Sequence, residues 1–139
     1  MMTTNEQFEG LKAQKVAENE ALYGEEIRTK YGEQSVMAAY GTFQQMSAAQ
    51  YDGAIQLENQ LFVLLAHMLA QEEEDTMFEI AELHKRWLSM YWPKYTKVAH
   101  RALSEMYVAD ERFTRYYDEH AGNGATLLLQ KAIQQYTEA

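Results

Sequence analysis

LSEMYVADERFTRYY, residues 103–117, is the stretch of sequence that decides the fold. It predicts the end of one helix, a three-residue corner and the start of a second helix. Asp110 is placed to cap the second helix, and Glu111 in its first turn complements the helix dipole. The stretch therefore indicates two consecutive helices joined by a short corner.

The rest of the chain favours helix in the same way. Good helix formers predominate, only seven Gly and one Pro interrupt them, and no strand-like alternation stands out. A chain of 139 residues fits one domain that can bury a core without disulfides. The pattern predicts an all-α domain of about seven helices, over residues 5–31, 35–46, 47–70, 76–91, 97–108, 111–121 and 125–136.

Several helix ends carry capping signals. Ser47 and Gln50 form a capping-box pattern at the start of the third helix. The acidic run 72–75 is expected to be a solvated loop whose last residue, Asp75, caps the fourth helix. Thr96 is expected to cap the fifth helix.

The N-terminal helices have a thin apolar stripe. The first helix offers Phe8, Leu11 and Leu22 over a long, charged surface, with a possible break at Gly24. Helices in proteins gain most of their stability from packing an apolar face. Residues 1–46 are therefore interpreted as a helical lid that is loosely held.

Composition limits the possible partners. The formal net charge of −9 disfavours direct contact with nucleic acid, and no apolar run approaches the roughly 20 residues of a membrane span. Neither a cysteine nor a secretory signal is visible. We therefore expect a cytoplasmic protein that contacts neither nucleic acid nor membrane.

Motifs for catalysis or metal binding are missing from the sequence. None of His67, His84, His100 and His120 has a histidine or carboxylate three or four residues away on its helix, as helical metal sites usually need. No phosphate-binding glycine loop and no nucleophile elbow is present. We expect a binding protein rather than an enzyme, with no metal and no cofactor.

Aromatic residues are dense around Pro93, where one helix ends before the next begins. Such side chains combine a large apolar body with a polar tip, which suits a pocket for a rigid aromatic ligand, although they also suit a core. Methionines are adaptable and recur at promiscuous binding surfaces. The candidate ligand-binding residues are Met37, Tyr40, Phe43, Met68, His84, Trp87, Met90, Tyr91, Trp92, Tyr95, His100 and Tyr107.

The string LSEMYVADERFTRYYD at 103–118 resembles the antibiotic-recognition domain of TipA-like regulators of the MerR class. The stretch from His84 to His100 and the turn at 122–125 resemble the same family. The resemblance implies a globin-like fold with a deep cleft for bulky, largely apolar peptide antibiotics. It further implies that N-terminal helices fold over the cleft, and that a DNA-binding domain precedes such a domain in a longer product.

One departure from that family concerns covalent capture. In thiopeptide-binding relatives, a cysteine near the end of the segment matching 92–96 bonds to the antibiotic, whereas this chain reads Trp-Pro-Lys-Tyr-Thr there. With no cysteine anywhere, only reversible binding is open. The chain would act as the sensor half of a regulator or as a stand-alone antibiotic-sequestering protein.

An alternative reading comes from a different class. An all-helical chain of this length also suits a globin-like haem protein, in which His67, His84 or His100 would ligate the iron. A purely structural interaction domain is the other alternative. Soret absorbance after haem addition separates the haem protein from the antibiotic-binding domain.

Overall fold

The computed structural model describes residues 4–71 and 74–138, and these residues form seven helices and no strand. The all-α prediction is thus confirmed. The helices are α1 (Thr4–Tyr31), α2 (Glu33–Gln44), α3 (Ala48–Ala70), α4 (Glu74–Tyr91), α5 (Lys97–Ala109), α6 (Glu111–Ala121) and α7 (Ala125–Tyr136).

The chain divides into two compact units. Unit 1 contains the described residues up to Gly53 together with Met90–Pro93. Unit 2 contains Ala54–Ser89 and the described residues from Lys94 onward.

Helix α1 of unit 1 continues through Gly24, so the possible break there does not occur. Glu20 and Arg28, four residues to either side of this glycine, form an ion pair along the helix. A Cβ at Gly24 would lie 3.0 Å from an Arg28 guanidinium nitrogen and 3.1 Å from the Glu20 carboxyl. Because glycine has no side chain, the Glu20 carboxylate and the Arg28 guanidinium can approach each other over this position.

Helix α2 begins and ends two residues earlier than the 35–46 expected. Gly32 ends α1 with φ of 85°, a left-handed value that glycine adopts at little cost. Glu33 follows at once in the first turn of α2, where a carboxylate complements the helix dipole, and it pairs with Arg28. These two residues, rather than Ser35, decide where α2 starts.

The start of α3 is as predicted. The Ser47 hydroxyl accepts from the Gln50 amide at 3.1 Å, and the Gln50 side chain accepts from the Ser47 amide at 2.9 Å. The start of α4 differs from the prediction that Asp75 caps this helix. The helix begins at Glu74, so Asp75 lies within it. Acidic residues are favourable in the first turn of a helix, which lets α4 extend into the acidic run. The other part of that run, 72–73, lies outside the described residues.

In unit 2, the corners between helices are held by side-chain caps. Thr96 accepts from the Ala99 amide at 3.1 Å, and Asp110 accepts from the Arg112 amide at 3.0 Å, as predicted. The N-terminus of α7 is capped from a neighbouring helix instead. Asp118 of α6 accepts from both the amide (3.0 Å) and the hydroxyl (2.8 Å) of Thr126.

The apolar core of unit 2 includes the second half of α3, which contributes Leu61, Phe62, Leu65 and Met68. The large apolar side chains that are fully buried come from α3, α4 and α7: Leu61, Leu65, Ile80, Leu129 and Ile133, each at most 1% exposed. Among the described residues, no helix combines the length and apolarity that crossing a membrane requires.

Candidate functional site

The twelve candidate ligand-binding residues divide equally between the two units. Those in unit 1 are Met37, Tyr40, Phe43, Met90, Tyr91 and Trp92. Those in unit 2 are Met68, His84, Trp87, Tyr95, His100 and Tyr107. The structure brings members of each set together in a different way.

In unit 1, four rings follow one another in contact. The ring of Phe43 lies 6.0 Å from that of Tyr91 and 6.0 Å from that of Tyr51, and Tyr51 lies 5.7 Å from Phe8, centroid to centroid. These spacings fall in the range of favourable aromatic pairs. We call Phe8, Phe43, Tyr51 and Tyr91 the aromatic series.

All four rings of the aromatic series are partly exposed to solvent rather than sealed in a core. Each ring therefore packs on a neighbour while keeping some surface free. A preformed row of half-buried rings is suited to stacking a planar or bulky apolar ligand.

The other unit 1 candidates differ in exposure. Met37 is 53% exposed, while Met90 and Trp92 are half-buried. Tyr40 accepts a hydrogen bond from the Asn19 side chain at 2.8 Å. Burial is the main cause that raises the pKa of the Tyr40 hydroxyl, so it stays protonated at neutral pH.

In unit 2, two histidines and two tyrosines form a continuous hydrogen-bonded chain. Nδ1 of His84 lies 2.8 Å from Nε2 of His100, and the remaining ring nitrogens lie 3.2 Å from the Tyr107 hydroxyl and 2.6 Å from the Tyr95 hydroxyl. We call these four residues the histidine–tyrosine chain.

Both imidazoles of the histidine–tyrosine chain are completely shielded from solvent. Burial disfavours the charged ring, so it lowers the pKa of His84 well below its usual value and that of His100 to about 4. The proximity of His100 adds to the effect on His84, and that of Lys85 to the effect on His100. Both histidines are therefore neutral at physiological pH, and each donates and accepts within the chain.

Three of the candidate ligand-binding residues lie in the interior of unit 2. His84 and His100 are fully buried there, and Tyr107 is 4% exposed. The reason is that each ring satisfies its polar atoms with another member of the chain. Met68 likewise lies in the apolar core. Contact between a ligand and these residues stays a prediction.

Trp87 and Tyr95 lie at the edge of the same group. The Trp87 ring is 5.7 Å from that of His84, and both Trp87 and Tyr95 are half-buried. The Lys85 ammonium lies 4.9 Å from the centre of the Tyr95 ring, within the range of a cation–π contact.

The histidine–tyrosine chain also bears on the haem alternative. Every ring nitrogen of His84 and His100 is within hydrogen-bond distance of another ring nitrogen or of a tyrosine hydroxyl. Ligation of iron by either ring would cost one of these bonds inside the core. Among the residues that the structure describes, no group of three or more His, Asp or Glu side chains is arranged to hold a metal ion.

Sequence reasoning missed two rings of the aromatic series. Phe8 belongs to the thin apolar stripe of α1 and Tyr51 lies at the polar start of α3, so neither ring is among the candidates drawn from the sequence. Phe8 lies thirty-five residues before Phe43 in the chain, so its place in the series depends on how α1 packs. Tyr51 had a local signal, because it lies in the first turn after the Ser47 cap, close to Phe43 in sequence.

Comparison with known proteins places the chain in a sequence family. A family model described as the TipAS antibiotic-recognition domain matches residues 23–136, which is most of the chain. No curated protein and no solved structure matches at the same standard of significance. The matched range includes Phe43, Tyr51 and Tyr91 of the aromatic series and the whole histidine–tyrosine chain, whereas Phe8 precedes it.

Proposed function

The chain belongs to the TipAS antibiotic-recognition family, and on that premise we propose that it binds bulky peptide-like or aromatic antibiotics reversibly through the aromatic series of unit 1. The observation that carries the proposal is the contact between the tilted rings of Phe43 and Tyr91, whose centres are 6.0 Å apart inside the matched range. Aromatic rings held by one another lose little entropy when a ligand stacks on them.

Binding, rather than catalysis, is the proposed activity. No cysteine is available for covalent capture, so the ligand is held by stacking, apolar contact and hydrogen bonds. Half-buried rings and nearby methionines such as Met90 adapt to ligands of different shape. This favours recognition of a class of antibiotics over recognition of a single compound.

The proposed role of binding is sensing or sequestration in the cytoplasm. As a sensor, the chain would work with a DNA-binding domain in a longer MerR-class product. The net charge of −9 supports a division of labour in which this chain itself does not contact DNA. As a sequestering protein, it would lower the free concentration of the antibiotic by mass action alone.

Helices α1 and α2 are proposed to respond to the ligand. None of the described apolar side chains of α1 is fully buried, and Val36 is the buried one of α2. Helices with so little apolar burial open readily, and a ligand that binds only their closed state shifts the population toward it. That shift is the signal which a sensor would transmit.

A thermal-shift screen against peptide and polyketide antibiotics tests the proposal. A ligand at one hundred times its dissociation constant should add roughly 2.7 kcal/mol to the free energy of unfolding. Each hit is repeated with Tyr91→Ala, which removes a ring of the aromatic series, and with Phe78→Ala as the control. Phe78 is a 61% exposed ring of unit 2.

The proposal expects Tyr91→Ala to lose the shift and Phe78→Ala to keep it. A panel without any hit, or hits that survive Tyr91→Ala unchanged, would contradict it.

A further inference from the structure

Lys12 is a buried lysine with all of its hydrogen-bond donors in use. Its side chain is 3% exposed, and its ammonium donates to the backbone oxygen of Gln44 at 2.6 Å, to that of Met46 at 2.8 Å and to the Glu9 carboxylate at 3.0 Å. An ammonium has three donors, and here each has an acceptor. Lysine is almost never fully buried unless it is paired in this way.

Gln44 is the last residue of α2, where the oxygens of a helix have no partner within the helix, and Met46 lies two residues beyond it. Helix α2 has no basic residue in its last turn, and its C-cap residue Gln45 has right-handed backbone angles instead of a glycine turn. A cation near this end is favoured by the helix dipole. Lys12 thus supplies from α1 the cationic side chain that α2 does not have at its own C-terminus.

This cap lies beside three rings of the aromatic series. Phe43 precedes the capped carbonyls by one and three residues, and Tyr51 follows within the first turn of α3. Phe8 lies one turn before Lys12 on α1, and its ring centre is 4.8 Å from the ammonium. Displacing the ammonium would therefore break its bonds between α1, which carries Phe8, and the corner that lies between Phe43 and Tyr51.

We propose that Lys12 is the positioning residue of the aromatic series: by capping α2 from α1, it fixes Phe8, Phe43 and Tyr51 in contact and so prepares the surface that receives the ligand. That this surface binds a ligand rests on the proposed function, whereas the contacts among the three rings do not depend on it. Lys12 and Phe8 precede residues 23–136, which the TipAS family model matches. The proposed binding surface therefore includes part of α1 that the family model does not cover.

The test uses the full chain with Lys12→Met, which keeps an apolar stem of similar length and removes the ammonium. Lys15→Met is the matched control, because Lys15 is an exposed lysine of the same helix and its loss changes the net charge equally. Ring-to-ring nuclear Overhauser effects for Phe8–Tyr51 and Phe43–Tyr51 report the geometry. Nile red, an uncharged planar dye, serves as the ligand probe.

We expect Lys12→Met to lose both ring contacts and to bind Nile red about tenfold more weakly, a change equivalent to about 1.4 kcal/mol. Lys15→Met should match the wild type in both measurements. Cross-peaks within the histidine–tyrosine chain establish that unit 2 of each variant remains folded. Lys12→Met that keeps both ring contacts would overturn the inference.

A second variant covers the case in which Lys12→Met unfolds. Lys12→Arg keeps a cation that can donate to the same carbonyls, so it should retain the contact between Phe43 and Tyr51. If this variant folds with its guanidinium buried and still loses that contact, the result would count against positioning by the cap. If the wild type binds neither Nile red nor any antibiotic, the proposed function fails. Loss of the ring contacts in Lys12→Met would still support the positioning role.

Discussion

The imidazoles of His84 and His100 lie parallel, at an interplanar angle of 9°, with 2.8 Å between Nδ1 of the first and Nε2 of the second. Only one proton fits between two nitrogens at this distance, so one ring donates and the other accepts. The remaining nitrogens are engaged by Tyr107 and Tyr95. The pair is therefore stable as two neutral rings and is strained by protonation.

The first prediction concerns pH. In the unfolded chain each histidine has a pKa near 6.5, and in the folded protein burial lowers the pKa of both, to about 4 for His100. The unfolded state thus binds more protons, and the free energy of unfolding should fall as pH falls from about 6.5, by up to roughly 1.4 kcal/mol per pH unit for each histidine.

Urea unfolding between pH 7 and pH 5 measures this slope. His100→Gln should flatten it, although the variant starts from a lower stability. Parallel curves for the wild type and His100→Gln would show that the buried pair is not the source.

The second prediction separates folding from binding. Leu65 is completely buried in unit 2, so Leu65→Ala should cost about 2–5 kcal/mol of stability. Trp92 is half-buried in unit 1, and Trp92→Ala should weaken antibiotic binding more than it lowers the melting temperature. Melting and binding measured on both variants decide the question, and equal losses of stability would refute the assignment of Trp92 to the binding surface.

The third prediction compares two glycines of α1. Alanine is favoured over glycine within a helix by about 1 kcal/mol. A Cβ at Gly10 would meet nothing within 4 Å, whereas one at Gly24 would crowd the Glu20–Arg28 pair. Gly10→Ala should therefore stabilise the protein more than Gly24→Ala, as measured by thermal unfolding. Because both crowded groups are the ends of flexible side chains, Gly24→Ala should still be mildly stabilising. Equal increases in stability for the two variants would contradict the prediction, because they would mean that moving the Glu20–Arg28 ion pair costs nothing.

The fourth prediction concerns motion. Without ligand, the amides of residues 5–45 should exchange with solvent faster than those of residues 57–135, because α1 and α2 bury so few apolar side chains. A bound antibiotic should slow the exchange of the first segment. Hydrogen–deuterium exchange read by mass spectrometry checks both halves, and full protection of 5–45 in the free protein would contradict the lid interpretation.

The elements that the sequence predicts well are those fixed by neighbours in the chain. Asp110 caps α6 from the position just before it, and Ser47 and Gln50 bond each other across one turn. Such signals need only a short window of sequence. The same holds for the turn at 122–124, where Gly122 and Gly124 take positive φ values.

The features that escape prediction join residues far apart in the chain. Gly24 looks like a helix breaker until the charges on either side of it are seen to meet. Lys12 looks like one more solvated lysine, because its acceptors are backbone oxygens more than thirty residues away. Every residue has a backbone carbonyl, so the side-chain pattern of the sequence cannot show which carbonyls Lys12 binds.

The bond from Asp118 to Thr126 has a consequence for the order of folding. It joins two helices whose interacting residues are only eight positions apart, so closing the loop between them costs little chain entropy. Contacts of such short range form early, whereas the bonds from Lys12 must wait for a loop of more than thirty residues. The hairpin of α6 and α7 is thus suited to be a nucleus on which the remainder of unit 2 condenses.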